Sequence, residues 1–131
     1  MTAVYLDSSA FVKLVVNEAE TAALRTFLAG RPARRVSSTL LRTEVLRATR
    51  HLGPEVLATV RESLRRIDLV SIDDRILDGA GTIEPGVLRT LDAIHLATAL
   101  AVGDDLDAIV TYDLRMIQAA RLLGLPTASP A

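Results

Sequence analysis

An unbroken apolar run near the start of the chain, Val4-Tyr5-Leu6, ends on a carboxylate, Asp7, and passes directly into Ser8-Ser9-Ala10. Apolar residues without polar alternation suit a strand covered on both faces, as in the interior of a parallel sheet. Ser8 or Ser9 offers an N-cap for the helix that follows. In open parallel sheets the working site lies off the carboxyl ends of the strands. Asp7 is therefore expected at such a site.

The same alternation continues along the chain. A short helix runs from Ser9 to about Val16, and a second carries Ala23, Leu24, Phe27 and Leu28 at helical spacing before Gly30. Val36-Ser37-Ser38 reads as a strand, and Thr39 as the cap of a helix reaching about Arg50. Pro54 opens a helix to about Arg66. Leu69-Val70-Ser71-Ile72 is a strand candidate, Asp73 to Ala80 a helix, and Gly79 to Gly86 a flexible link. Thr90 caps a helix to about Val102. Ala108-Ile109-Val110-Thr111-Tyr112 is the clearest later strand, Asp113 starts a last helix, and Pro126-Thr127-Ala128 is an edge strand. Strands alternating with helices imply a parallel sheet of four to five strands between two helical layers. At 131 residues the chain, 1–131, reads as a single domain able to bury a core.

Composition removes several kinds of chemistry. There is no cysteine, hence no disulfide, thiolate metal site or cysteine nucleophile. No apolar run approaches the roughly 20 residues of a membrane span, and no signal-peptide pattern opens the chain, so a cytoplasmic protein without membrane contact is expected. The formal net charge is -1, so no global field draws in a polyanion. The basic residues, however, are all arginines apart from Lys13, and arginine offers a planar fork for phosphate.

The acids carry the sharper signal. Asp7 follows the first strand, Glu44 lies little more than a turn into the helix after the second, Asp113 directly follows Thr111-Tyr112, and Asp92 falls in the first turn of the Thr90 helix. In a parallel sheet, strand ends and helix starts share one rim, so these four converge. Each alone has a plain structural reading as a cap or as a complement to a helix dipole. Together, four close carboxylates repel and raise one another's pKa. A hard divalent cation, Mg²⁺ or Mn²⁺, resolves that conflict. Such a centre hydrolyses phosphodiesters, activating water and stabilising the attacking and leaving oxygens, in some cases with two ions about 4 Å apart.

Tyr5-Leu6-Asp7-Ser8-Ser9, Arg42-Thr43-Glu44-Val45, Leu91-Asp92-Ala93-Ile94-His95-Leu96-Ala97 and Val110-Thr111-Tyr112-Asp113 resemble, in order and spacing, the motifs of PIN domains, most closely the VapC-type toxins of bacterial toxin–antitoxin pairs. The resemblance runs over essentially the whole chain. It implies a PIN-like three-layer α/β/α sandwich and a Mg²⁺- or Mn²⁺-dependent endoribonuclease, with Asp7, Glu44, Asp92 and Asp113 as the catalytic, metal-binding acids. It also implies a homodimer held inactive by a small VapB-like antitoxin whose tail lies across the early helices, where Phe11, Val15, Leu24 and Leu28 are candidates for an apolar groove.

Lesser candidates surround the acids. Thr111 shares the side of Asp113 at the strand end and offers a hydroxyl to a metal-bound water. Ser8 sits beside Asp7. His95, three residues after Asp92, is placed to orient RNA or a carboxylate. Arg115, Arg42 and Arg47 flank the acids as phosphate contacts, with a local Arg47–Glu44 ion pair as the simpler role for Arg47. Asp104, Asp105 and Asp107 lack calcium-loop spacing. A response-regulator receiver needs a lysine late in the chain, and Lys13 is the only one. A haloacid-dehalogenase-like phosphatase needs Asp where Ser9 stands, and no dinucleotide fingerprint occurs. The remaining alternative is a PIN-like module that binds RNA or protein without cutting.

Overall fold

The computed structural model describes residues 1–131. It contains five strands: β1 (Ala3–Leu6), β2 (Arg34–Ser38), β3 (Asp68–Val70), β4 (Leu106–Val110) and β5 (Thr127–Ala128). They form one parallel sheet in the order β3-β2-β1-β4-β5. Seven helices connect them: α1 (Ser8–Val15), α2 (Thr21–Ala29), α3 (Leu40–Thr49), α4 (Pro54–Leu64), α5 (Asp74–Thr82), α6 (Thr90–Val102) and α7 (Leu114–Leu122). β1 is central and buried throughout its four residues, as its unbroken apolar run requires. Its side chains alternate between two cores. Val4 and Leu6 pack with Phe11, Leu24, Leu41, Val45 and Val60 under α1–α4. Ala3 and Tyr5 pack with Leu96, Ala99, Ile109 and Met116 under α6 and α7. The expected three-layer α/β/α sandwich is what the chain forms.

Several local expectations change. Asp7, not Ser8 or Ser9, caps α1: its carboxylate accepts from the Ala10 amide at 3.1 Å. Thr39 stands at the cap position of α3 but makes no side-chain capping bond, and the Ser38 hydroxyl accepts from the Leu40 amide instead. Thr90 lies inside α6, with Arg89 at the cap position. Gly79 and Gly81 do not end α5, which continues to Thr82. Phe11 and Leu24 are 0% exposed, Leu28 is 4% and Val15 is half-buried, so these residues belong mainly to the core. A cleft of about 370 Å³ does open beside them, floored by Phe11, Leu14 and Leu28 and ringed by Arg25, Arg35 and Arg66.

The register sets the rim. Leu6 pairs with Val110 and Tyr5 with Ile109, so Asp7 and Thr111 occupy the next level, where the strands end. The Asp7 amide still donates to the Val110 carbonyl before the chain turns into α1. β2 ends alongside at Ser38, and α3 leaves from there carrying Glu44 in its second turn.

Candidate active site

Asp7 is 4% exposed, and three donors converge on it. Its Oδ1 accepts from the Ser9 hydroxyl at 2.7 Å and from the Ala10 amide, and its Oδ2 accepts from the Thr111 hydroxyl at 2.5 Å. Burial pushes the Asp7 carboxyl above the usual carboxylate range, and these donors pull back against it. Thr111 is wholly buried and bifunctional: it donates to Asp7 and accepts from the Asp113 amide at 3.1 Å. Ser9 likewise donates to Asp7 while accepting from the Tyr112 amide at 2.9 Å. Two hydroxyls thus tie the end of β1 to the end of β4.

The other acids close the circuit. Glu44 reaches back across the sheet, its Oε1 2.5 Å from His95 Nε2 and its Oε2 3.5 Å from the Ser8 hydroxyl. Asp113 caps α7, accepting from the Arg115 and Met116 amides through Oδ1. Asp92 lies one turn before His95 on α6. Its Oδ2 is buried and accepts no hydrogen bond. The Arg89 guanidinium approaches that oxygen to 3.5 Å and Asp113 Oδ2 to 3.7 Å, ion-pair contacts without hydrogen-bond geometry. Burial raises the Asp92 carboxyl, and the neighbouring Asp113 charge raises it further, against the pull of Arg89.

Asp7, Glu44, Asp92 and Asp113 therefore stand around one rim, linked through Ser8, Thr111, Arg89 and His95. As posed, no three His, Asp or Glu side chains are drawn together tightly enough to grip a single ion. The donor set nevertheless fits a hard divalent cation. All four groups are carboxylates, one buried oxygen lacks a hydrogen bond, and the one cation beside Asp92 and Asp113 is an arginine whose side chain is 66% exposed.

The flanking residues sort differently. His95 Nε2 contacts the Glu44 carboxylate. The Arg47–Glu44 ion pair does not form, and Arg42 and Arg47 are exposed. Arg42 lines an outer cleft with Arg61 and Arg65. Arg115 gives the site its backbone amide while its side chain is exposed. Asp107 pairs with Arg31 at 3.0 Å, away from the rim. Sequence reasoning missed Tyr5, whose hydroxyl lies 2.7 Å from His95 Nδ1, and Arg89. Arg89 was findable, three residues before Asp92 on one helix. For Tyr5 the only clue was its place two residues before Asp7 in the strand.

Residues 4–122 match the model of the PIN domain family. Across all 131 residues of both chains this chain is 50% identical to ribonuclease VapC46 of Mycobacterium tuberculosis. It is 40% identical to ribonuclease VapC47 of the same species, over 97% of this chain and 96% of the other. Among solved structures, VapBC2 of Rickettsia felis, bound to a promoter DNA fragment, superposes with a TM-score of 0.75 at 12% identity, covering 99% of this chain and 100% of that one. A toxin–antitoxin complex from Klebsiella pneumoniae superposes at 0.74 with 19% identity and 98% of each chain. At such identities the superpositions speak for the fold alone, whereas the family match and the full-length relatives reach further: this chain belongs to the PIN domain family, as a member of its VapC type.

Proposed function

We propose that this protein is a Mg²⁺- or Mn²⁺-dependent endoribonuclease toxin that cleaves RNA phosphodiester bonds at the Asp7, Glu44, Asp92, Asp113 rim. The observation that carries the reading is Asp92: a buried carboxylate oxygen without a hydrogen bond, beside a second carboxylate, in a circuit that holds two more. The relatives named as ribonucleases support the substrate class. Asp7, Asp92, Asp113 and Glu44 would hold the cation, which would supply Lewis-acid activation of water and charge stabilisation on the phosphate. Thr111, Ser9 and the Ala10 amide keep Asp7 oriented and poised for that charge. Arg89, largely exposed and beside Asp92 and Asp113, is placed to pair with a phosphate oxygen. A VapB-like antitoxin and a second copy of the chain are the expected partners. The arginine-ringed cleft over α1, α2 and α4 suits an amphipathic segment with acidic side chains.

Partner-free protein incubated with pooled RNA is expected to cleave with Mg²⁺ and to stop with EDTA or as Asp7→Asn. Cleavage that survives both would reject the mechanism. Metal binding without cleavage of any RNA would favour a binding module.

A further inference from the structure

One buried chain of polar groups runs from the core into the rim. The Tyr5 ring comes from the middle of β1 and is 0% exposed, and His95, from α6, is 2% exposed. The Tyr5 hydroxyl lies 2.7 Å from His95 Nδ1, His95 Nε2 lies 2.5 Å from Glu44 Oε1, and the two rings meet edge to face. The hydrogens can be assigned by chemistry. An ionised carboxylate only accepts, so Nε2 carries the proton shared with Glu44. The nearby Ser37 and Thr98 hydroxyls spend their one donor on the Leu6 and Ile94 carbonyls, so neither donates to the imidazole. Burial keeps the Tyr5 hydroxyl protonated, so it donates to Nδ1. In this arrangement Nε2–H is aimed at Glu44 and Nδ1 faces the Tyr5 hydroxyl.

Glu44 needs such a guide more than the other acids. Asp7 and Asp113 are N-caps fixed by backbone amides, and Asp92 lies in a first turn. Glu44 sits inside α3 on a longer, more flexible side chain, held otherwise only by a 3.5 Å contact from Ser8.

We infer that Tyr5 and His95 are positioning residues that lock Glu44 toward the cation site, an outer layer of the metal centre reaching down to the floor of the central strand. The inference rests on the proposed role of Glu44 as a metal-holding acid. Such outer partners orient a ligand group, and losing them costs about 10- to 100-fold in metal affinity or activity.

The test is Mn²⁺ titration by calorimetry without RNA, beside RNA cleavage kinetics, on wild type, Tyr5→Phe, His95→Leu, His95→Gln and Glu44→Gln. Tyr5→Phe keeps the ring packing. His95→Gln keeps an N–H for Glu44. The expected result is that Tyr5→Phe and His95→Leu weaken Mn²⁺ binding and lower kcat by about 10-fold or more while KM for RNA stays near wild type. His95→Gln recovers most of both, and Tyr5→Phe adds little on top of His95→Leu because the two act through one path. Wild-type Mn²⁺ affinity in both Tyr5→Phe and His95→Leu would overturn the inference, as would a His95→Gln no better than His95→Leu. The two readings fail differently. If Glu44→Gln loses Mn²⁺ binding and cleavage while the Tyr5 and His95 variants do not, only the positioning role falls. If wild type neither binds Mn²⁺ nor cleaves, the active-site reading falls with it.

Discussion

Asp92 shows at single-residue scale how a site can be held against stability. Its buried Oδ2 has no hydrogen bond, and burial and the Asp113 charge raise its carboxyl above the usual range. Asp92→Asn removes the charge and much of that conflict. The variant is expected to be as stable as wild type without metal, or more stable by up to about 1 kcal/mol in urea unfolding, while cleavage falls at least about 100-fold. Thr111→Val should behave in the opposite way. It removes a donor from the buried Asp7 carboxylate and leaves the Asp113 amide without its acceptor. Destabilisation of about 1–3 kcal/mol is expected, read by the same urea midpoints, because buried groups lose partners that water cannot replace.

At the scale of elements, the site depends on where helices start. Asp7 and Asp113 act as N-caps of α1 and α7, so the plain structural role and the proposed chemical one fall on the same carboxylates. The α3–α4 arm that carries Glu44 turns back at Gly53, whose φ of 95° and ψ of 176° are open to glycine alone. A Cβ there would meet nothing within 4 Å, so the cost of Gly53→Ala is backbone strain and not collision. About 1–3 kcal/mol of lost stability is expected by chemical denaturation. Since Gly53 is remote from the rim, the Mg²⁺ requirement for cleavage should not change.

For the whole molecule, proton and cation compete for one charge imbalance. Asp7, by burial, and Asp92, by burial and then by Asp113, have folded-state pKa values raised above 3.8. Each binds its proton more tightly folded than unfolded. The stability this adds is fully present below the unfolded pKa and is lost as pH rises through the raised folded values. Metal-free protein should therefore melt higher at about pH 5 than at about pH 7, measured relative to an Asp7→Asn/Asp92→Asn double variant that lacks the effect. Mn²⁺ should raise the wild-type midpoint at the higher pH and do so less at the lower, because protons and metal contend for the same oxygens. A midpoint indifferent to Mn²⁺ at the higher pH would count against the cation site.

The letters alone carried the alternation of strand and helix, the parallel sheet and the placing of Asp7, Glu44, Asp92 and Asp113 on one edge. These are consequences of local hydrophobic period and chain order, which a linear pattern encodes. Asp7 as a cap, the burial of Phe11 and Leu24 in the core, and the choice of His95 over Arg47 as the partner of Glu44 were decided by packing. So was the reach of Tyr5 from the sheet to a helix residue 90 positions later. A hydrogen bond of that span depends on the relative pose of two layers, and no spacing along the chain records it. Strand order puts the acids on a common edge, but only the three-dimensional fit of β1 against α6 selects which buried groups keep them there.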